Sequence, residues 1–221
     1  MSTYAESRAD AWTRRASIVG EVDFTMMYIA HDAFNRDMAR LIAAADAGQG
    51  SSPPAQATWR SFAKHLQTHH HAEDKALWPR LAGAVADPAE SRVLAQMETE
   101  HASIDPRLDQ IEASMKRASD AELADALQTL AEELAAHMVH EESEALPLLE
   151  RRLGQAGWTA FTQEIRHQQG GIKGASEYLP WVLDGATDQI QQQVLRMLPA
   201  PARLLYRVRW EPTYRNATRL R

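Results

Sequence analysis

The 221-residue chain contains no cysteine. This absence excludes disulfides, thiolate metal ligands and iron–sulfur clusters, and it fits a cytoplasmic location. The chain also lacks an apolar run of about 18 residues, so no membrane-spanning helix is predicted, and its N-terminus lacks the apolar segment of a secretory signal. β-branched residues are sparse, whereas Ala, Leu, Glu, Gln and Arg are plentiful. This composition predicts a helical, cytoplasmic protein.

The net charge of −6 is unevenly distributed. Residues 203–221 include six Arg and one Glu, so this tail carries a charge of +5 and the rest of the chain −11. Tyr206, Trp210 and Tyr214 are interleaved with the basic residues. Such a tail can bind nucleic acid or anionic lipid, but a basic patch alone is not a recognition code. We therefore expect the tail to fold back on the acidic part of the chain or on a second subunit, and neither nucleic acid nor a membrane is a predicted partner.

Apolar residues recur at three- and four-residue steps in four segments, as expected for amphipathic helices that pack in a bundle. The first helix is predicted over about 18–47 and the second over about 54–84, with a glycine- and proline-rich break between them. Asp87 and Pro88 have the order of an N-cap and a first-turn proline for the third helix. A fourth helix is predicted from about residue 120. The predicted fold is all-α, an up-down-up-down four-helix bundle.

The apolar stripe of each predicted helix is interrupted by one histidine, and on two helices a glutamate follows one turn later. Residues at i and i+4 share one face of a helix. Because the histidines of neighbouring helices lie at similar distances from the connecting breaks, all four can meet in one layer of the bundle core. The residues of this layer are His31, His69, His101 and His137, with Glu73 four residues after His69 and Glu141 four residues after His137.

This layer predicts a metal site. A buried unpaired carboxylate costs several kcal/mol, so two of them at one level require cations. Lys64 and Lys75 fall off the stripe of the second helix and cannot supply that charge. Imidazole and carboxylate ligands without thiolate favour iron, zinc or manganese over calcium or magnesium. A structural zinc site normally closes at four ligands, so six ligands suit a binuclear centre better, and its two carboxylates can bridge the metals.

The motifs that carry this layer resemble the hemerythrin-like family, the HHE cation-binding domains, and in particular bacterial members with a C-terminal extension. The resemblance covers about residues 20–152. It implies a left-handed bundle around an oxo- or hydroxo-bridged non-heme di-iron centre, with Glu73 and Glu141 as bridges between the two ions. The matching motifs are His31-Asp32, His69-His70-x-x-Glu73-Asp74 continuing to Trp78-Pro79, Glu100-His101, and His137-x-x-His140-Glu141-Glu142 continuing to Leu146-Pro147-Leu148.

One position departs from the family pattern. Oxygen-carrying hemerythrins have a further histidine one turn after the third-helix ligand, and here that position is Asp105. Asp105 is therefore either a carboxylate ligand or a residue that faces solvent beside Pro106. His70 and His140 are the other candidates for an extra ligand or for a contact behind the ligands. The remaining histidines, which we interpret as surface residues, are His65, His71 and His167.

The resemblance implies a protein that binds or reacts with dioxygen, hydrogen peroxide or nitric oxide in oxidative or nitrosative stress. Both a catalase-like and an oxidase-like activity fit, and whether the protein is an enzyme stays open. The alternative is a metal-dependent sensor of iron or oxygen without turnover, ordered by its metal. A ferritin-like oxidase is disfavoured, because that fold needs Glu-x-x-His on two helices and this chain has it once, at Glu98 and His101.

These patterns divide the chain into three parts. Residues 1–17 form an N-terminal arm, residues 18–153 the bundle, and residues 154–221 a helical C-terminal extension that ends in the basic aromatic tail. We expect the extension to cap one end of the bundle and restrict access to the metals. The alternative is that it forms the interface of a homodimer.

Overall fold

Helices account for nearly all of the structure, a computed structural model that describes residues 8–16, 20–117 and 120–221. Within these ranges no helix is long and apolar enough to span a membrane. In chain order the α-helices are α1 (Arg8–Ala16), α2 (Thr25–Asp46), α3 (Pro53–Ala76), α4 (Trp78–Ala82), α5 (Pro88–Arg117), α6 (Asp120–His140), α7 (Leu146–Arg152), α8 (Gly154–Gln169), α9 (Ile172–Leu183), α10 (Asp188–Met197), α11 (Ala200–Leu205) and α12 (Glu211–Asn216), and π-helical turns cover Glu141–Ala145 and Tyr206–Trp210.

Four long helices form the predicted bundle. Helix α2 packs on α3, α3 on α5, α5 on α6, and α6 closes the ring by packing on α2. Beyond α6 the helical path continues through the first π turn into α7. The all-α bundle with additional C-terminal helices is thus confirmed, because the apolar stripes that predicted it are the faces that these helices bury against one another.

The first bundle helix begins at Thr25 and not near residue 18. Asp23 Oδ1 accepts a hydrogen bond from the Thr25 backbone N–H at 2.9 Å, a local side-chain contact that favours a turn just before the helix. Before it, the backbone N–H groups of Glu21 and Val22 donate to the Glu150 carboxylate at 2.8 and 3.0 Å. A Cβ at Gly20 would lie 2.6 Å from Cδ of Glu150, so only glycine allows this approach. These contacts tie a non-helical segment to α7.

The second bundle helix ends at Ala76, earlier than the expected residue 84. Pro79 has no backbone N–H to continue the ladder of hydrogen bonds, and a separate short helix, α4, begins at Trp78. The third helix begins at Pro88 as predicted. Asp87 Oδ1 accepts a hydrogen bond from the Ala89 backbone N–H at 2.7 Å, which is the expected cap.

The apolar core consists of two clusters that lie on either side of the histidine layer. One cluster contains Phe34, Phe62 and Leu130, together with residues of the C-terminal extension. The other contains Leu77 and Trp78 with residues of α5, α7 and α8. The polar layer is therefore enclosed between two apolar regions, where the effective dielectric constant is low and charges interact strongly.

The C-terminal extension lies along the side of the bundle formed by α2 and α3. Helix α8 packs on α3 and α7, and α9 packs on α2. Lys75 pairs with Glu164 at 2.8 Å, and Lys64 pairs with Glu177. Near the other end of α3, the Leu220 backbone N–H donates to Thr58 Oγ1 at 3.0 Å. Because these contacts run along most of α3, the extension covers a side of the bundle. The expectation that it caps one end was wrong.

The aromatic residues of the basic tail fold back on the chain. Tyr206 and Trp210 are buried in the core. The Tyr214 hydroxyl donates a hydrogen bond to Asp184 Oδ2 at 3.2 Å. Arg207 and Arg209 between them remain exposed. The tail therefore contributes its aromatic side chains to the extension and its arginines to the surface.

His65 is buried, so its interpretation as a surface residue was wrong. Only 5% of it is exposed, and its ring lies 4.4 Å from the Trp181 ring and 5.3 Å from the Tyr178 ring. Both aromatic residues belong to α9, which covers this face of α3. Burial, reinforced by the charges of Lys64 and Arg36, lowers the pKa of His65 to about 3. His71 and His167 are exposed as predicted.

Replacing His65 by Phe should make the protein less sensitive to acid. Because the folded pKa of His65, about 3, lies below the usual 6.5, the stability linked to its neutral form is present above pH 6.5 and declines as pH falls toward 3. The quantity compared is the unfolding free energy of His65→Phe minus that of the wild type. This difference should be about 2 kcal/mol larger at pH 5 than at pH 7.5. Urea unfolding at both pH values measures this. His167→Phe, at an exposed position, is the control; an equal effect of His65→Phe at both pH values would contradict the assignment.

Candidate metal centre

Five histidines and two glutamates meet in the polar layer. Six of them form two groups of three in which one ligand atom of each residue lies within 4.8 Å of the others. Every member of the layer is buried, with at most 6% of its surface exposed. The first group is His31, His69 and Glu141, and the second group is His70, His101 and His137.

Glu73 lies between the two groups. Its Oε1 is 3.0 Å from Nε2 of His69 in the first group. Its Oε2 is 3.5 Å from Nε2 of His101 in the second. The carboxylate thus faces both groups with different oxygens, which is the position that a bridge between two cations requires.

The atoms that His31, His69, Glu73 and Glu141 direct to the interior of the layer are close together without being hydrogen-bonded. Nε2 of His31 is 3.1 Å from Oε2 of Glu141. Among the described residues, no hydrogen-bond partner exists for Nε2 of His31 or His69, nor for any carboxylate oxygen of Glu73 or Glu141. Buried polar atoms are almost always paired, and unpaired carboxylates are the most costly exception. This set of nitrogen and oxygen atoms therefore fits metal ions as its missing partner.

Burial and charge act differently on the two carboxylates. Burial raises the pKa of Glu73 well above its usual value, and the negative charge of Glu141 adds to the increase. Burial would also raise the pKa of Glu141, but the adjacent imidazole of His31 and its positive charge hold it at about 2. Two carboxylates in such close contact cannot both remain charged at low cost unless a cation lies between them.

His69 and His70 are suited to act as neutral ligands, whereas burial lowers the pKa of His31 but Glu141 and Glu142 raise it to about 9. Burial lowers the pKa values of His69 and His70 well below 6.5, so both imidazoles keep the lone pair that a metal ligand needs. The rings of His70 and His101 stack at 4.0 Å with an angle of 11° between them. Across the second group, Nε2 of His101 lies 3.3 Å from Nε2 of His137. These contacts fix the orientation of the three rings.

Behind the layer, a carboxylate contacts the outer nitrogen of four of the five histidines. Such a contact makes Nδ1 the protonated nitrogen and leaves Nε2 to face the interior. It also makes the imidazole a better ligand. The pairs are His31 Nδ1 with Glu142 at 2.7 Å, His101 Nδ1 with Asp74 at 2.8 Å, His137 Nδ1 with Glu100 at 2.8 Å, and His70 Nδ1 with Asp105 at 3.2 Å.

The structure brings together all six residues that the sequence predicted as ligands and adds His70 to them. Asp105 is not in either group and is exposed, as the second of its two alternatives predicted, but its carboxylate also contacts Nδ1 of His70. His140 lies outside both groups, and its Nδ1 shares the Glu100 carboxylate with His137 at 2.7 Å. The sequence had indicated His70 only as a candidate for an extra ligand, from its place in the run His69-His70-His71.

A π turn over Glu141–Ala145 explains how two consecutive glutamates are both buried. Glu141 is 0% exposed and Glu142 1%. In a regular α-helix successive residues point about 100° apart, and a π turn accommodates one additional residue, often at a functional site. Glu141 faces the histidine layer, whereas Glu142 points toward α1. The periodicity of the sequence carried no sign of this turn.

Helix α1 holds the far side of Glu142. The Glu142 carboxylate accepts hydrogen bonds from Arg15 at 3.0 and 2.7 Å and from Arg14 at 2.8 Å. Arg15 also pairs with Asp32 at 2.8 Å and is only 5% exposed. Residues 8–16 of the predicted N-terminal arm therefore form a helix that supports His31 through Glu142, which the sequence did not indicate. Residues 1–7 and 17 of the arm lie outside the described residues.

The fold and the site define a helical metal-binding module. The family model of the hemerythrin HHE cation-binding domain matches residues 23–149, more than half of the chain, and the chain therefore belongs to this family. No curated protein and no solved structure matches the chain. The resemblance drawn from the histidine and glutamate motifs is confirmed.

Replacing Arg15 by Met should destabilise the protein by about 3 kcal/mol, because it removes the buried partner of Glu142 and leaves that buried charge only partly compensated by Arg14. The double variant Arg15→Met/Glu142→Gln should recover part of this loss, since the buried charge is then gone. Urea unfolding measures both variants. Lys116→Met removes an exposed pair with Glu112 and should cost less than about 1 kcal/mol. An Arg15→Met protein as stable as Lys116→Met would show that the buried pair contributes little.

Replacing His70 by Ala should lower the metal content by about one ion per chain. The second group would then keep only His101 and His137, and a site with two histidines binds a metal ion more weakly than a site with three. His71→Ala is a matched control: it changes the adjacent histidine, which is exposed, and should keep the full content. Elemental analysis of the purified variants gives the result. Full metal content in His70→Ala would remove His70 from the ligand set.

Proposed function

We propose that this protein is a non-heme di-iron protein that binds or reacts with a small oxidant, namely dioxygen, hydrogen peroxide or nitric oxide. The observation that carries the proposal is the pair of ligand groups on either side of the unpaired Glu73 carboxylate. Two groups joined by a carboxylate match a binuclear centre better than a single closed site. Histidine and carboxylate ligands without sulfur suit iron, and they also accept zinc or manganese.

In this proposal each ion has its own set of ligands. The two sets use side chains from all four bundle helices and from the π turn, so the complete site exists only in the folded bundle. Glu73 would bridge the ions through its two oxygens, and Glu141 is the second proposed bridge. One ion would be held by His31, His69 and Glu141, and the other by His70, His101 and His137.

A pair of iron ions at this position would supply open coordination positions and the electrons for reaction with a small oxidant. The chain contributes the surroundings. The apolar clusters on both sides exclude bulk water and favour entry of small uncharged molecules. The carboxylates behind His31, His101 and His137 raise the basicity of these ligands, which tunes the reactivity of whatever they bind. We assign the protein a role in oxidative or nitrosative stress in the cytoplasm on this chemistry.

The decisive experiment is the metal content of protein purified without a histidine tag or added metal. We expect about two irons per chain, as in binuclear carboxylate sites, and a change of the visible absorption spectrum when nitric oxide is added to the reduced protein. Oxygen release after addition of hydrogen peroxide then tests turnover. Binding without turnover would favour the sensor alternative, and one zinc or no metal would overturn the di-iron proposal.

Glu73→Gln tests the proposed bridge in the same assays. Removing the charge between the two groups should reduce the content to one iron or fewer and abolish the response to nitric oxide, because the neutral amide is a poor ligand for two cations. Glu144→Gln is the control, since Glu144 is an exposed glutamate of the π turn that carries Glu141. Two irons and an unchanged nitric oxide response in Glu73→Gln would refute the bridge.

A further inference from the structure

A cavity of about 190 Å³ lies between the bundle and the C-terminal extension. Helix α2 forms one wall through Met26, Met27 and Ala30, and helices α8, α9 and α10 form the others. His69 of the metal layer also lines the cavity. The extension therefore does not simply cover α3, because it leaves a partly open space that reaches one of the candidate ligands.

Trp158 and Phe161 form an aromatic wall of the cavity next to His69 of the histidine layer. The rings of Trp158 and Phe161 lie 5.2 Å apart and both residues are buried. The Phe161 ring is in turn 6.1 Å from the His69 ring, at an angle of 82°. A molecule that packs against this wall would therefore lie beside the imidazole of His69.

The cavity opens to solvent at its outer end. Arg166 and Met197 line it and are both exposed, Met197 by 58%. At the inner end, Leu179 and Val194 are buried. A small molecule can thus enter beside Met197 and reach His69 without unfolding of the bundle.

The lining selects the chemistry of the occupant. Among the residues that the structure describes, Arg166 at the exposed mouth is the one arginine, lysine, aspartate or glutamate that lines the cavity. A charged ligand would therefore lose its hydration deeper inside without gaining a partner. An apolar cavity of about 150 Å³ is large enough to bind benzene, so this one suits an uncharged apolar molecule of about six to ten carbon atoms.

We propose that this cavity is the binding site of a small uncharged apolar molecule, aromatic or short aliphatic, which it holds beside His69. The binding itself follows from the shape and lining of the cavity. That the molecule would lie next to a metal ion rests on the proposed function.

Toluene is a suitable probe, and its binding to the full-length protein as purified can be measured by NMR titration. Thr162 lines the cavity, whereas Thr159 on the same helix is exposed and does not. We expect saturable toluene binding to the wild type, at least about tenfold weaker binding to Thr162→Phe, and a change within about twofold for Thr159→Phe, because only the first substitution fills the cavity.

The absence of saturable binding to the wild type, or equal binding to Thr162→Phe, would overturn the proposal. If circular dichroism shows that Thr162→Phe does not fold, Ala175→Leu on α9 takes its place with the same expectation. Metal analysis of the same wild-type sample separates this proposal from the proposed function. Toluene binding to protein that contains no metal would support the cavity proposal and contradict the di-iron proposal. Two irons per chain without toluene binding would support the di-iron proposal and contradict the cavity proposal.

Discussion

The buried and unpaired carboxylate of Glu73 is the constraint on which the rest of this structure depends. It lies between two groups of histidines in a layer enclosed by apolar clusters, where a negative charge without a counter-charge is strongly disfavoured. The protein supplies no lysine or arginine in contact with Glu73 among the described residues. We therefore expect that cations stabilise a bundle with such a centre and that folding and metal binding are linked.

A second set of carboxylates lies behind the layer and contacts its histidines from outside. Glu142, Asp74, Glu100 and Asp105 each contact the outer nitrogen of a histidine and so determine which nitrogen faces the centre. Glu142 connects the layer to α1 through Arg15, which makes the N-terminal helix part of the support of His31. The site is therefore larger than its ligands, and its outer part includes elements that lie outside the four-helix bundle.

The C-terminal extension has two consequences for the site. Its aromatic residues Tyr178 and Trp181 cover part of the α2–α3 side and bury His65. Its helices α8, α9 and α10 also enclose the cavity that reaches His69. Access from this side is thus governed by residues that a bundle consisting of the four helices alone would not contain.

The sequence by itself determined the four helices and the six residues of the predicted layer. Helical periodicity and the i, i+4 relation are local properties, and four stripes interrupted at matching depths leave one arrangement in which His31, His69, His101 and His137 meet. The tertiary structure decided the rest. His70 joins the second group because α3 is rotated about its axis so that His69 faces one group and His70 the other. The sequence does not show this rotation. The roles of Arg15, His65 and the π turn at Glu141 depend on how α1 and the C-terminal extension pack against the bundle. These segments are distant in sequence from the residues they contact, and no local pattern encodes which side of the bundle they cover.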